Sequence, residues 1–329
     1  MNVSFSRRAA HLRASEIREL LKVTARPEVI SFGGGLPAPE SFPVAELQAA
    51  ANRIFAHQAH QALQYSTTEG HPPLRRWIAE RMGVVHHATV TPEEVLVTTA
   101  SQQGLDLTAK VFLDEDDAVL CESPTYLGAI QAFRAYGARF VEVPTDEHGM
   151  LPGALEQLLE STWRARAIYV VPDYQNPTGH TWSLERRAAL LELARKHRVV
   201  VIEDCPYVEV RFAGDPVPPL VALDTEGQVV HLGTFSKILC PGLRLGWVTA
   251  RPEIRARRRH QELAAKGDPA TIEEVLADQL KRDRDDSERA VAPLRPAGDA
   301  VVVDTSDRSL DEVVAALVSA VEARLARRS

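Results

Sequence analysis

At 329 residues, with 45% hydrophobic and 25% charged side chains, the chain is long enough to bury a large core in two or more lobes. Its formal net charge of -7 argues against a general nucleic-acid binder, and no apolar run approaches the ~20 residues that span a bilayer. Three scattered cysteines, Cys121, Cys205 and Cys240, suit neither a disulfide framework nor a zinc site, and point to a cytoplasmic protein without a metal.

The first residues carry Arg7, Arg8, Arg13 and Arg18, the basic character of an organelle transit peptide, but Glu16 and Glu19 interrupt it and favour a short amphipathic helix. From Thr91 short apolar runs alternate with helical periodicity. Strands are predicted over 95–99, 118–121, 139–143, 167–171, 199–202 and 229–232, with helices over 102–111, 129–136 and 184–196. Val199-Val200-Val201-Ile202 is apolar on both faces, as a central strand of a helix-covered sheet requires. The alternation predicts an α/β fold with a mainly parallel sheet and right-handed crossovers, whose ligands sit beyond the carboxyl ends of the strands. The last part of the chain differs: a basic cluster at 255–260, mixed charge over 281–289, a short strand at 300–303 and an amphipathic helix at 309–328 capped by Ser309.

Five strand ends carry polar residues with chemical potential. Ser101 and Gln102 follow the first strand, Tyr126 the second, Asn176 the run at 167–171, Asp204 the run at 199–202, and Lys237 the run at 229–232. Each has an ordinary reading: Ser101 as a helix cap, Asn176-Pro177-Thr178-Gly179 as a turn, Asp204 as a strand terminator, Tyr126 as a rim aromatic. Their joint order is harder to dismiss. In Gly233-Thr234-Phe235-Ser236-Lys237-Ile238-Leu239-Cys240-Pro241-Gly242-Leu243-Arg244 a lysine among apolar neighbours is flanked by hydroxyls and followed by an arginine. A desolvated lysine has a lowered pKa and a nucleophilic amine, suited to an aldehyde cofactor, while hydroxyls, an arginine and a helix N-terminus suit its phosphate.

The chain resembles the class I/II aminotransferases of the fold-type I pyridoxal phosphate superfamily, nearest the 2-aminoadipate, kynurenine and aromatic aminotransferases and the aminotransferase-like regulator domains. The resemblance covers about 31–250 and rests on Ser31-Phe32-Gly33-Gly34-Gly35-Leu36-Pro37, Leu63-Gln64-Tyr65-Ser66, Thr99-Ala100-Ser101-Gln102-Gln103-Gly104 and Glu122-Ser123-Pro124-Thr125-Tyr126, with Gln175-Asn176-Pro177-Thr178-Gly179, Glu203-Asp204-Cys205-Pro206-Tyr207 and the lysine run. It implies transfer of an amino group between an amino acid and a 2-oxo acid, with pyridoxal 5'-phosphate held by Lys237 as a Schiff base. Asp204 would face the ring nitrogen, Asn176 and Tyr207 the ring's phenolate oxygen, and Tyr126 would stack on the ring. Ser101, Gln102, Thr234, Ser236 and Arg244 would hold the phosphate, Tyr65 would reach the phosphate of a partner subunit in a homodimer, and Gly35 would lie near substrate.

Past the lysine run the family builds a small domain that supplies an arginine for the substrate α-carboxylate, and the sequence here does not show that continuation. From about Pro252 it resembles instead the C-terminal part of cytidylate kinase, through Pro252-Glu253-Ile254-Arg255, Arg282-Asp283, Asp286-Ser287-Glu288-Arg289 and Asp304-Thr305-Ser306. That divides the chain into 1–250, the cofactor-binding domain, and 251–329, a mostly helical kinase-like segment in which Arg282, Asp286 and Arg289 would lie near a CMP site. No Gly-x-x-x-x-Gly-Lys-Ser/Thr loop occurs anywhere in the chain. The alternatives to an aminotransferase are therefore a CMP-binding fragment and a protein that holds pyridoxal phosphate without transaminating.

Overall fold

The structure, a computed structural model, describes residues 35–251 and 269–288, together with Ser6, Ala9, Glu28, Val29, Leu263 and Ala264. The expected N-terminal helix around Arg13 and Arg18, the basic cluster at 255–260, Arg289, and the expected elements at 300–303 and 309–328 lie outside the described residues. The chain divides into two compact units, Met1–Gln279 and Leu280–Ser329.

The first unit is built on a seven-stranded sheet. Its strands are β1 (Val95–Thr98), β2 (Ala118–Glu122), β3 (Arg139–Val143), β6 (Ala165–Val170), β7 (Val200–Asp204), β8 (Val229–Thr234) and β9 (Gly246–Ala250); β4 (Thr145–Asp146) and β5 (Gly149–Met150) form a separate hairpin. The spatial order is β1-β9-β8-β7-β6-β2-β3. Strands β8, β7, β6, β2 and β3 pair in parallel, and β9 runs antiparallel to both β8 and β1. Reversing twice leaves β1 pointing the same way as β8. The sheet is thus mainly parallel, with β9 the strand that opposes the rest. The pattern of the sequence missed β9, because its residues continue the lysine run and read there as motif.

Both faces of the sheet are covered, which is why its strands read as apolar runs. On one face Leu120, Ile168, Val170, Val201 and Val229 pack with Ile78 and Met82 of α3 (Pro72–His86), Leu155 of α6 (Pro152–Ser161) and Leu190 and Ala194 of α7 (Leu184–His197). On the other face Val119, Tyr169, Ile202, Val230 and Leu232 meet Leu105 and Ala109 of α4 (Ala100–Phe112) and Ala129 and Phe133 of α5 (Leu127–Arg134). Full burial of each large aliphatic side chain contributes about 1.5–3 kcal/mol, so these two layers carry most of the gross stabilisation. Ahead of the sheet, α1 (Val44–His57) and α2 (Ala59–Ala62) bury no residue, and Val44, Phe55, Leu63 and Tyr65 are exposed. The last described helix, Ile272–Glu288, contains Arg282 and Asp286.

One close approach ties the two ends of the sheet's sequence together. Ala100, which opens α4 after β1, has φ 60°, a left-handed conformation unfavourable for alanine, and its carbonyl accepts a hydrogen bond from Thr98 Oγ1 at 3.0 Å. Gly246 of β9 lies directly against it: a Cβ there would stand 2.7 Å from both the Ala100 carbonyl carbon and the Gly233 carbonyl oxygen. Because both obstacles are backbone, Gly246→Ala is expected to destabilise the protein by about 1–3 kcal/mol through overpacking. Gly83→Ala, with nothing within 4 Å of its added methyl and a helical setting in α3, is expected to be neutral or stabilising by up to ~1 kcal/mol. Urea unfolding midpoints of the two variants check this contrast.

Candidate active site

Since β1, β2, β6, β7 and β8 point the same way, their carboxyl ends fall along one edge of the sheet. Each expected residue group follows one of these ends: Ser101 after β1, Tyr126 after β2, Asn176 after β6, Asp204 at the end of β7 and Lys237 after β8. The side chains converge as well. Lys237 Nζ lies 5.8 Å from the centre of the Tyr207 ring, and Asn176 Nδ2 donates to the Tyr207 hydroxyl at 3.0 Å. Tyr126 feels the charges of Asp204 and Arg244, which places it within reach of both.

Lys237 is half-buried, and burial lowers its pKa, in keeping with a lysine poised as a nucleophile. Its amine donates to the carbonyl of Gly35 at 2.6 Å, so Gly35 closes over the reactive nitrogen. Asp204 is 2% exposed; burial raises its pKa to about 7, opposed by a hydrogen bond that Tyr169 donates to Oδ2 at 3.0 Å. Its other oxygen, Oδ1, is buried without a partner among the described residues. Burial likewise raises the pKa of Tyr207, and the hydrogen bond from Asn176 acts against that rise.

The anion end of the site lies where β9 meets β8 and α4. Thr234 Oγ1 donates to Ser236 Oγ at 2.9 Å, and Thr234 pairs in register with Gly246, which abuts Ala100. The first turn of α4, which opens at Ala100 and includes Ser101, therefore lies beside the Gly246 partner of Thr234, and the first N–H groups of that helix have no intrahelical acceptor. Arg244 sits in the left-handed region at φ 51°, exposed, with one guanidinium nitrogen donating to Pro241 O at 3.3 Å. The Gln102 side chain is committed elsewhere, donating to Gly128 O at 3.0 Å, so this residue can serve an anion through its backbone N–H. Tyr65 is 99% exposed and does not join the cluster within one chain.

These residues fit pyridoxal 5'-phosphate. A lone buried carboxylate oxygen matches a protonated ring nitrogen, a lowered lysine amine matches the aldehyde, and hydroxyls with a helix N-terminus match the phosphate. Sequence reasoning missed Tyr169, the side chain that engages Asp204. It lies inside an apolar strand, and only the pairing of β6 with β7 brings it beside the acid. It also missed the frame of the Asn176 loop, where the fully buried Arg187 pairs with Asp173 at 3.0 Å and donates to Pro172 O at 3.1 Å and Trp182 O at 3.3 Å.

Asp204 makes stability pH-dependent in a definite direction. Its carboxyl has a pKa near 3.8 unfolded and about 7 folded, so the folded state binds the proton more tightly. Stability from this group is full below about pH 4 and declines as pH rises toward 7, by at most ~4 kcal/mol. Glu122, raised by burial to about 7, adds to the same window. For the cofactor-free protein, Asp204→Asn should remove only the Asp204 share, so the variant loses about 1–4 kcal/mol less than wild type between roughly pH 4 and 8. Urea unfolding at the two pH values measures it, and equal losses would mean that Asp204 ionises without penalty.

Comparison with known proteins gives the family and the fold. The family model for aminotransferase class I and II matches residues 27–287, continuing past Pro252, and nothing in the comparisons supports a cytidylate kinase part. The chain is 45% identical over 254 residues to aromatic-amino-acid aminotransferase 1 of Thermococcus litoralis, covering 76% of this chain and 61% of that protein. It is also 45% identical over 283 residues to 2-aminoadipate transaminase of Thermus thermophilus, covering 85% of this chain and 70% of that protein. The first of these relatives is thus spanned over less than two thirds of its length. Among solved structures, the α-aminoadipate aminotransferase of Thermus thermophilus complexed with N-(5'-phosphopyridoxyl)-L-leucine superposes with a TM-score of 0.69 at 43% identity, over 85% of this chain and 72% of that one. A kynurenine aminotransferase of Pyrococcus horikoshii gives 0.72 at 37% identity, over 85% and 73%. No described helix is long and apolar enough to cross a membrane.

Proposed function

Because this chain belongs to the class I and II aminotransferase family, we propose that its 1–250 lobe holds pyridoxal 5'-phosphate on Lys237 and passes an amino group between an amino acid and a 2-oxo acid. The observation that carries the reading is the buried, unpartnered Oδ1 of Asp204 on the same sheet edge as a lysine of lowered pKa. The cofactor supplies an electron sink for the pair left when the substrate Cα–H bond breaks. Asp204 would keep a proton on the ring nitrogen, and Asn176 and Tyr207 would face the phenolate oxygen. Tyr126 covers the ring with an aromatic face, and Ser101, Gln102, Thr234, Ser236 and Arg244 hold the phosphate. Lys237 would hold the proton that moves to and from the substrate Cα, and Gly35, whose carbonyl accepts from its amine, would lie near the amino acid.

The names of the relatives favour 2-aminoadipate or aromatic amino acids as donors. The exposed apolar side chains Val44, Phe55 and Leu63, beside the exposed Tyr65, are proposed to meet a second copy of the chain, with Tyr65 reaching that copy's phosphate. Sedimentation should then show a dimer, and a strictly monomeric wild type would remove this part.

Borohydride reduction after cofactor addition tests the core claim. Intact mass should rise by one cofactor in wild type and stay unchanged in Lys237→Ala. With 2-aminoadipate or an aromatic amino acid alone, the cofactor absorbance should convert in wild type and slow by ~10²–10⁴-fold in Lys237→Ala, the usual worth of a positioned acid–base group. No adduct in wild type would defeat the proposal. An adduct without conversion by any amino acid would leave a cofactor-binding protein that does not transaminate.

A further inference from the structure

Tyr169 is buried at the root of the site and is the donor that holds Asp204. Register places it opposite Ile202 on β7, so Asp204 is its diagonal neighbour on the same face of the sheet. The ring is 1% exposed and fixed edge-on by Phe133, with centroids 5.5 Å apart at 80°. The hydroxyl therefore has little freedom, and it donates to Asp204 Oδ2 at 3.0 Å while Oδ1 is left without a partner. One oxygen of the carboxylate is anchored and the other is presented.

We propose that Tyr169 is a positioning residue that keeps Asp204 ionised and turned so that Oδ1 alone meets the cofactor's ring nitrogen, an inference that rests on the functional reading above. The other titratable groups around Asp204 do not duplicate this role. Tyr126 and Tyr207 sense its charge and have pKa values raised by burial, so they stay neutral, and Tyr207 is engaged by Asn176. The Cys205 thiol is likewise kept protonated by burial, and Glu203, the next residue along β7, is held on the opposite face by the amides of Leu220 and Val221 and by His231. Tyr169 itself stays a donor at working pH, because burial and the Asp204 charge hold its proton on. A buried carboxylate stripped of its one donor favours the neutral form, which draws the proton away from the ring nitrogen.

The test compares wild type with Tyr169→Phe, which deletes one oxygen from a ring fixed by packing. A second variant carries 3-fluorotyrosine at position 169, which keeps the hydroxyl and makes it a stronger donor. Carbon-13 carboxyl spectra of the cofactor-free proteins, with the Asp204 signal identified by its loss in Asp204→Asn, report its titration directly. The midpoint should rise by roughly one pH unit in Tyr169→Phe and fall in the fluorinated protein, the direction expected when a hydrogen bond to the charged form is lost or strengthened. In the loaded protein, the nitrogen-15 signal of labelled cofactor should show the ring nitrogen less protonated in Tyr169→Phe. The maximal half-reaction rate should drop about tenfold with little change in KM, as for an interaction realised in the transition state. An Asp204 titration that moves in neither variant, in a protein that takes up cofactor, overturns the role of Tyr169. A wild type that takes up no cofactor overturns the functional reading, and with it the purpose given to Tyr169, even where the titration shifts.

Discussion

The site depends on the two-residue period of one strand. Glu203 and Asp204 are consecutive, both buried, and face opposite sides of the sheet. An isolated buried carboxylate is costly, so each must be satisfied or left reactive. Glu203 is satisfied: it accepts from the amides of Leu220 and Val221, its partner His231 sits directly across on β8, and its pKa falls despite full burial. Asp204 is not. Tyr169 is its one hydrogen-bond donor among the described residues, and burial leaves its pKa near 7. The same backbone thus builds a satisfied acid on one face and a partly unsatisfied acid on the other. A slip of one residue in β7 would exchange them.

The remaining geometry follows from strand direction. A parallel sheet collects the carboxyl ends of its strands along one edge, so residues far apart in sequence meet without long loops. Strain is placed at the same edge: Ala100 and Arg244 both adopt left-handed φ angles at turns bordering the anion end. The loop bearing Asn176 is braced from behind by the buried Arg187–Asp173 pair and by the backbone carbonyls that Arg187 bridges. Removing Asp173 would leave the Arg187 charge buried without an acid, whereas Asp173 without Arg187 would keep Arg211 at 3.4 Å.

Much of this was legible in the sequence because it is local. Short apolar runs marked β2, β7 and β8, the run at 199–202 apolar on both faces, and the polar residues just beyond them marked the edge. Helix ends moved by a residue or two, as at α4, which begins at Ala100 because a left-handed turn starts it. What was not legible is relational. Tyr169 acts only through the register between β6 and β7, and Gly246 acts through what it lies against. Strand β9 was hidden because a motif reading and a strand reading claim the same residues, and α1 and α3 because their apolar spacing is diluted by charge. The kinase-like reading of the tail had no such anchor: its residues were matched by type, without the phosphate loop that would give them a purpose.

The placement of β9 bears on how the protein is made. Strand β1 emerges early from the ribosome, yet the strand it pairs with is β9, about 150 residues later in the chain. Through most of synthesis β1 has no ladder partner, and the Ala100 turn has no Gly246 to rest on. The parallel strands between them can pair in the order they appear, since β6, β7 and β8 are added successively to one side of β2. Strand pairing can therefore run from the β2–β3 edge across the sheet, leaving for last the seam between β1 and β9. That seam carries the contact of Gly246 with Ala100, so the end of the site proposed for the phosphate forms only when β9 joins β1 and β8.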